Sequence, residues 1–519
     1  MSRLIIVIVI KVLFIQNSLS KEQLSSCNWD NKNKIPCLEI NTDISNTSAY
    51  TSSGLNKTII SKKEIEESGA IDLIDALKQV PGINLTQSGP KGQQTSMFMR
   101  GTGSNHTLVM INGVAINDQS STQGLHDFGL DFIQTIQQIE VYPGSSGSHF
   151  GTNAIGGAIN IVLAGDYQDS ISFASDNNAN YEFSGNKTFL FDESSLNLKI
   201  GSVKNETTSA RGSSDDEYDG VKNYSANINY ENYFKNLRFF NNTYLRQTIA
   251  EYDNSNANQF GYEGNNIMGT FQFGLENFQK TEKQKYLLYY NVYDREYDER
   301  GTIDTYESEA IGFKYDLSKT LNRKISLGVG SEYKYDWGYF DNNGSYEAST
   351  KGNSDNLSIY SNLGYNFMED YNLSLFLRND KHKQTGDNST YKVNLNKIIN
   401  GSDFGLSYMN GLRNPTLYEM YGTDNFGYSG NRDLKAEKSN TFEIYSIINI
   451  SDKLKLSSRG YKSNIQNNIE YINNKYRNDD DNIDLNQSGI NSTLTYNDQD
   501  ININIFGSYL NSKKEDGSS

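Results

Sequence analysis

The sequence predicts a small α/β domain followed by an antiparallel β-barrel that crosses a membrane with its strands. From about residue 166 onward, short stretches alternate apolar and polar residues. The chain of 519 residues also holds 36 tyrosines and 43 glycines but only 5 prolines. Barrel strands in membranes alternate in this way because one face meets lipid and the other a wet interior, with aromatic residues at both ends. An apolar segment at the start, typical of exported proteins, is the third observation.

That segment runs from Leu4 to Ile15, is interrupted only by Lys11, and is followed by Ser18-Leu19-Ser20. It is too short for a helix that crosses about 30 Å of hydrocarbon. A basic start, an apolar centre and small residues after it are typical of a signal peptide. We therefore expect residues 1–20 to be a signal peptide and residues 21–56 to be an extension in front of the first domain.

The extension contains the only two cysteines, Cys27 and Cys37. An exported protein reaches an oxidising compartment, so a short disulfide loop is one interpretation. Two free thiols in an extended segment are the other, and the spacing alone does not decide between them. The four histidines are scattered without the spacing of a zinc site.

Residues 57–165 carry the signals of the α/β domain. Ser61 and Glu64 have the spacing of a capping box, in which both side chains bond to free amides at the start of a helix. A second helix is predicted where apolar residues recur at helical spacing from Ile71 to Val80, and Pro81-Gly82 ends it.

A β-hairpin is predicted in the middle of this domain. Asn112-Gly113 lies between the apolar runs Leu108–Ile111 and Val114–Ile116. Such a dipeptide favours a two-residue turn, because both of its central residues need a positive φ. We expect the two runs to pair.

Residues 166–519 are predicted to form the barrel. The clearest strand lies in Lys324–Trp337, where odd positions are mostly apolar and even positions are polar or glycine. A soluble β-sandwich is the alternative, but many strands, long hydrophilic loops and an export signal favour the barrel. The formal net charge of −16 argues against nucleic acid as a partner.

Three stretches of the first domain carry a more specific pattern. They read TQSGPKGQQTSMFMRG at Thr86–Gly101, TLVMINGV at Thr107–Val114 and GTNAIGGAINI at Gly151–Ile161. This resembles the plug domain of TonB-dependent outer-membrane receptors, and most closely the cobalamin receptors among them. Arg413–Gly422 resembles a barrel motif of the same receptors. The resemblance implies an α/β plug inside a barrel in the outer membrane of a Gram-negative bacterium, and an importer with no enzymatic activity.

The length of the barrel departs from this resemblance. We count about 17 or 18 strands, whereas the barrels of plugged transporters have 22. About four strands follow the Arg413–Gly422 motif, where the family has about eight. An unclosed barrel leaves unpaired backbone groups in lipid. The expectation is that the C-terminus is truncated and the barrel incomplete.

The resemblance also implies where a ligand binds. In cobalamin receptors, two plug loops that correspond to Ser88–Thr95 and to the loop beginning near Asn117 contact the corrinoid. The implied ligand-binding residues are Ser88, Gln93, Gln94 and Asn117. Pro90 and Lys91 replace the small residues common in the family, so the ligand stays open between cobalamin or a related corrinoid and an iron siderophore. These loops could alternatively be ordinary solvated turns.

The family places its TonB box about 20 residues before the first plug strand. The corresponding residues here are Leu38, Glu39, Ile40, Asn41 and Thr42. An extended segment of this kind can add as a strand to the sheet edge of TonB, the partner that an inner-membrane complex energises. An ordinary linker is the alternative, since Glu39 makes the match degenerate.

Contacts between plug and barrel are implied as well. Arg100 matches a plug arginine that needs a carboxylate partner in the lumen when it is buried. Tyr142-Pro143-Gly144-Ser145 stands where the family has a basic residue followed by Gly-Pro. We therefore expect Arg100 to contact the barrel and a second ion pair to be absent.

Two neighbouring loops of the barrel are acidic. Cobalamin receptors order such loops with calcium, which prefers 6 to 8 oxygen ligands. The implied calcium ligands are Glu217, Asp219 and Asp253. The alternative is an acidic loop that is simply solvated. No other cofactor is expected, and a passive porin or a surface adhesin in the outer-membrane lipid is the alternative from another functional class.

Overall fold

The computed structural model of the protein describes residues 57–165, 168–209, 218–253, 261–343, 347–368, 370–479, 484–498 and 501–514. The predicted signal peptide, the two cysteines, the TonB box and Glu217 lie outside the described residues, and these assignments stay predictions. Within those ranges, no helix has both the length and the apolar character needed to cross a membrane.

The N-terminal domain contains a five-stranded mixed sheet, a separate two-stranded hairpin and three short helices. Its elements are β1 (Thr58–Ser61), α1 (Lys62–Ser68), α2 (Leu73–Leu77), β2 (Ile83–Gln87), β3 (Thr95–Met99), β4 (Thr107–Ile111), β5 (Val114–Ala115), β6 (Gln138–Pro143), α3 (Gly147–Phe150) and β7 (Gly157–Val162). Two 3₁₀ turns, Ser104–His106 and Phe128–Leu130, connect them. The sheet has the order β1-β6-β7-β4-β5, so β1 is an edge strand.

Local signals predicted the ends of these elements. The capping box is confirmed, since the Ser61 hydroxyl accepts a hydrogen bond from the Glu64 amide and the Glu64 carboxylate accepts one from the Ser61 amide. The second helix is shorter than the apolar run, because Asp72 caps its start and only Leu73–Leu77 is helical.

The hairpin is also confirmed. Ile111 pairs with Val114 across the turn. Asn112 and Gly113 adopt φ values of 46° and 85°, as the turn type requires. The sheet carries the core of the domain, in which Ile139, Val141 and Ile159 are completely buried.

The described residues after this domain form long antiparallel strands. In chain order they are β8 (Ser170–Ser175), β9 (Tyr181–Leu190), β10 (Ser194–Thr208), β11 (Asp219–Phe234), β12 (Leu237–Glu251), β13 (Tyr262–Phe278), β14 (Glu282–Glu299), β15 (Thr302–Thr320), β16 (Ile325–Asp341), β17 (Ser349–Met368), β18 (Tyr371–His382), β19 (Gly386–Ile399), β20 (Ser402–Arg413), β21 (Glu437–Asn449), β22 (Leu454–Gln466), β23 (Ile469–Ile472), β24 (Lys475–Asn478), β25 (Leu485–Asn497) and β26 (Asn502–Lys514). Seventeen of them form the barrel, and β23 with β24 forms a separate hairpin. Strands that are consecutive around the barrel from β8 to β26 pair antiparallel.

Side chains alternate between the two faces of the barrel wall, as predicted. On β16, Leu327 and Val329 are exposed on the outer face, while Ser326, which precedes Leu327, is buried on the inner face. Connections are short at one end, such as Lys235-Asn236. Several at the other end are longer, among them residues 414–436, which contain α4 (Leu417–Tyr421). We call the second end the loop end, which in bacterial barrels faces the outside.

The N-terminal domain lies in the barrel lumen and bonds to strands around it. Side chains on the barrel donate hydrogen bonds to its backbone carbonyls: Thr248 to Leu130 (2.9 Å), Gln272 to Ile111 (2.8 Å), Asn291 to Ala115 (2.8 Å) and Gln487 to Gly101 (2.5 Å). These donors belong to β12, β13, β14 and β25, so the domain is held from opposite parts of the wall.

Candidate functional site

A cavity of about 690 Å³ lies between the N-terminal domain and the inner face of β12 to β15, close to the loop end. The domain contributes two loops, residues 88–94 and residues 117–127, which we call the first and second cavity loops. The barrel contributes residues that include Tyr252, Asp253, Tyr293, Arg295, Tyr297, Glu299, Asp304 and Tyr306.

The first cavity loop brings three of the four predicted ligand-binding residues to this cavity. Ser88, Gln93 and Gln94 all line it. The Ser88 amide donates to the Gln94 carbonyl at 3.0 Å, which closes the loop at its base. The Gln93 side chain donates to the carbonyl of Glu251 on β12 and so ties the loop to the barrel wall.

Asn117 is placed differently from the prediction. It is not among the residues that line the cavity, because its side chain is used inside the domain. Its Oδ1 accepts from the Val109 amide at 2.9 Å, and its Nδ2 donates to the carbonyls of Thr107 (3.1 Å) and Gly124 (3.2 Å). Asn117 therefore holds the second cavity loop in shape, and its role in ligand binding stays a prediction.

Lys91, which departs from the family pattern, turns away from the cavity. Its Nζ lies 2.7 Å from a carboxylate oxygen of Asp72 and 2.6 Å from one of Asp75, at the start of α2. Although burial opposes the charged form, these two carboxylates raise the pKa of the Lys91 ammonium above its usual value. Lys91 thus anchors the first cavity loop.

The second cavity loop is joined to the barrel by an ion pair that sequence reasoning missed. Asp118 lies 2.8 Å from Arg295 on β14 and accepts a hydrogen bond of 2.7 Å from Ser308 on β15. The Ser120 amide also donates a hydrogen bond to the Asp118 carboxylate, at 2.8 Å. No local pattern marks these residues, which come together only in the folded chain.

A second bridge lies deeper in the cavity. Asp131 pairs with Arg246 on β12 and also bonds to the ring of His126, which lines the cavity. Burial opposes ionisation of this carboxyl, but Arg246 and His126 hold the pKa of Asp131 below its usual range. The nearby Asp127 carboxylate accepts hydrogen bonds from the backbone amides of Thr95 and Gly129.

Aromatic rings form the opposite wall of the cavity. Tyr306 stacks on Phe340 with a centroid distance of 4.5 Å. The guanidinium of Arg295 lies 4.7 Å from the Tyr306 ring centre, and Tyr297 meets the same ring edge-on at 5.5 Å. This wall offers flat apolar surface beside hydrogen-bonding groups, as small-molecule sites typically do.

Two of the three predicted calcium ligands, Asp219 and Asp253, lie within the described residues. Asp219 is buried at the start of β11, and Asp253 lines the cavity and accepts from the Ser209 hydroxyl at 3.2 Å. Within the described part of the chain, which excludes Glu217, no group of three or more His, Cys, Asp or Glu side chains is arranged to hold a metal. The calcium site stays a prediction.

Arg100 contacts the barrel through Glu443 on β21, at 2.7 Å. Tyr142, from the segment that departs from the family pattern, donates its hydroxyl to Glu140 within the domain at 2.8 Å. A side chain at Gly144 would place its Cβ 2.7 Å from the Arg100 guanidinium, so the glycine leaves room for this contact.

The barrel motif forms a further buried network beside α4. Arg413 on β20 pairs with Glu437 and with Glu419, and Glu437 also bonds to the ring of His106 in the N-terminal domain at 2.9 Å. Thr416 caps α4 and donates to the carbonyl of Thr122 in the second cavity loop at 3.0 Å. The motif therefore positions a cavity loop from the barrel side.

Comparison with known proteins supports the resemblance along the whole described chain. The family model described as "TonB-dependent Receptor Plug Domain" matches residues 51–158, and the model "TonB dependent receptor-like, beta-barrel" matches residues 164–517. Among curated proteins, the vitamin B12 transporter BtuB of Vibrio vulnificus is 27% identical over 417 residues, covering 75% of this chain and 63% of the relative. That of Photobacterium profundum is 25% identical over 419 residues, covering 79% and 66%. The chain thus spans about two thirds of the length of these relatives.

Solved structures show a similar fold. The siderophore receptor PirA from Acinetobacter baumannii matches with a TM-score of 0.75 at 16% identity, covering 89% of this chain and 81% of the other. The ferric yersiniabactin uptake receptor FyuA from Yersinia pestis matches with a TM-score of 0.71 at 12% identity, covering 91% and 80%. At such identities the likeness concerns the fold alone.

Proposed function

Because this chain belongs to the TonB-dependent receptors, we propose that it imports a scarce nutrient through the outer membrane, driven by TonB, and that this nutrient is cobalamin or a related corrinoid. The observation that carries the proposal is the cavity between the cavity loops and the aromatic barrel wall near the loop end. A ligand held there would touch plug and barrel at once, so its binding can bias the position of the plug.

The arrangement of the plug supports active import over a passive pore. The plug is held in the lumen by buried ion pairs, including Arg100 with Glu443 and Asp131 with Arg246. Separating the partners of a buried ion pair costs free energy, so moving the plug out of the lumen requires an energy input. A porin or an adhesin has no need for a plug of this kind.

The path of the pulling force follows from the order of the sheet. The proposed TonB box, Leu38–Thr42, precedes β1, which is the edge strand and pairs only with β6. Lys57, next to β1, is bound to Glu140 of β6 at 2.9 Å. Tension on the box would detach β1 first, because an edge strand leaves without breaking the rest of the sheet.

The ligand assignment rests on the curated relatives, which are vitamin B12 transporters, and on the cavity loops that resemble those of cobalamin receptors. Ser88, Gln93 and Gln94 are the proposed ligand-binding residues. An iron siderophore is the second candidate, since the similar solved structures include siderophore receptors. Calcium bound by Glu217, Asp219 and Asp253 would order the neighbouring loops.

Uptake in cells tests the proposal. A strain that lacks its own cobalamin receptor and depends on cobalamin should grow at limiting cobalamin when it expresses this protein. The same strain without TonB should not grow. Growth that is rescued under iron limitation by a ferric siderophore, but not by cobalamin, would replace the corrinoid with the second candidate.

A further inference from the structure

His126 in the second cavity loop has a ring nitrogen that the protein itself does not use. The residue lines the cavity and is only 6% exposed. Its Nε2 bonds to the carboxylate of Asp131, whereas its Nδ1 forms no hydrogen bond with any residue that the structure describes. Buried polar atoms nearly always have a partner, so an imidazole nitrogen left unpaired beside a cavity points to a ligand.

The other three histidines offer no such nitrogen to the cavity, since none of them lines it. His106 and His382 bond through both ring nitrogens within the protein. His149 packs edge-on against Phe376, with a centroid distance of 5.0 Å. Among the four histidines, all of which the structure describes, His126 alone combines an unpaired ring nitrogen with a place in the cavity wall.

Asp131 determines which nitrogen of His126 carries the proton. Its Oδ1 pairs with Arg246 and its Oδ2 with His126, and an ionised carboxylate can only accept hydrogen bonds. Nε2 is therefore the donor, and in the neutral ring the lone pair lies on Nδ1. Histidines that ligate metals typically donate their other ring nitrogen to a carboxylate in this way, because the carboxylate fixes the tautomer and makes the free nitrogen more basic.

The position of the ring is also fixed. Phe128 meets the ring of His126 edge-on, with a centroid distance of 5.1 Å. The loop that carries His126 is tied to the barrel by the ion pair between Asp118 and Arg295. A ligating side chain that is held in place beforehand loses less conformational entropy when the ligand binds.

We infer that His126 binds the metal centre of the cargo directly, and that this cargo is a corrinoid whose cobalt carries an exchangeable water. The inference rests on the proposed import function and deepens it. One protein ligand suits a metal whose other positions are filled by the cargo itself. A ferric siderophore that fills every coordination position of its iron has no place for the imidazole.

The binding step is a ligand substitution on cobalt. The cobalt–oxygen bond breaks and the water leaves, while the lone pair of His126 Nδ1 forms a cobalt–nitrogen bond. The oxidation state of the cobalt does not change. The proton on Nε2 stays there, in the hydrogen bond to Asp131.

Absorption spectra and equilibrium binding of the purified full chain in detergent test the inference. Two probes share one corrin ring: aquacobalamin carries an exchangeable water, and cyanocobalamin carries a cyanide that imidazole does not displace. Aquacobalamin should bind at least about tenfold more tightly than cyanocobalamin. Its absorption bands should shift to longer wavelength as imidazole replaces water, whereas the spectrum of cyanocobalamin should stay the same.

Two histidine variants identify the ligating residue. His126→Gln keeps a polar side chain and removes the ring nitrogen, so the two cobalamins should bind with similar affinity and the spectral shift should be lost. His382→Gln is the matched control, because this histidine is also buried but lies outside the cavity wall. It should retain both the preference for aquacobalamin and the shift.

The outcomes separate the two proposals. An unshifted aquacobalamin spectrum with equal affinities for the two cobalamins would overturn the ligation and leave import intact, and this result needs no variant. A shift that persists in His126→Gln would overturn it too, since another group would then be the ligand. Failure of both cobalamins to bind, together with no cobalamin-dependent growth, would contradict the import of a corrinoid and the inference with it.

Discussion

Arg100 of the plug donates a hydrogen bond of 2.7 Å to Glu443 on the barrel wall, and both side chains are almost completely buried. Arg459 and Lys392, both on the barrel, lie within electrostatic reach of the same carboxylate. Three cations thus act on the buried Glu443 carboxylate, and only one of them, Arg100, belongs to the plug. The barrel supplies the other two cations, Arg459 and Lys392.

This arrangement predicts an asymmetry between two substitutions. Glu443→Gln removes the carboxylate that the buried Arg100 contacts and should destabilise plug docking by about 3 to 5 kcal/mol. Arg100→Gln should cost less, since Arg459 and Lys392 still compensate Glu443. Hydrogen exchange of plug amides measures both effects, and a larger loss of protection in Arg100→Gln would contradict the assignment.

If Leu38–Thr42 is the TonB box, as proposed, substitutions there should separate ligand binding from uptake. Leu38→Pro or Ile40→Pro should abolish uptake and leave ligand binding at the surface intact, because proline removes an amide needed for strand pairing. Leu38→Ala is the control that keeps the amide and should retain uptake. Normal uptake in both proline variants would exclude this segment as the box.

Calcium should raise ligand affinity by ordering the two acidic loops. Asp219→Asn and Asp253→Asn should each remove this effect. The measurement compares dissociation constants of cyanocobalamin in calcium and in chelator for each variant. Equal constants for the unmodified protein in the two solutions would eliminate the site.

The buried carboxyl of Asp127 should make the free energy of unfolding depend on pH. Burial raises the pKa of its carboxyl, although the amides of Thr95 and Gly129 act in the opposite direction. A raised pKa contributes stability that is complete below the unfolded-state pKa and is lost as pH rises through the folded-state pKa.

Asp127→Asn keeps an oxygen acceptor for the two amides and removes the titration. The variant should therefore have a higher free energy of unfolding than the unmodified protein, and this difference should be larger at about pH 7 than at about pH 3. Urea unfolding at both pH values provides this difference. A gain that is the same at the two values would show that Asp127 is not a titrating buried group.

Much of the fold could be predicted because its signals are local. The Ser61–Glu64 cap and the Asn112-Gly113 turn each depend on a few neighbouring residues and their φ preferences. The alternation on β16 depends only on the period of a strand. The second helix was predicted too long, because the Asp72 cap and the turn after Leu77 override a run of suitable spacing.

The sequence by itself determined the order of plug and barrel, the strand pattern and the loop that carries Ser88, Gln93 and Gln94. Only the tertiary structure decided how the cavity is built. Asp118 meets Arg295, and Asp131 meets Arg246, across more than a hundred residues of chain. Ion pairs between a plug and a barrel wall depend on how the two surfaces face each other in space. For the same reason Asn117, which matched a ligand-binding position, became a support for its own loop.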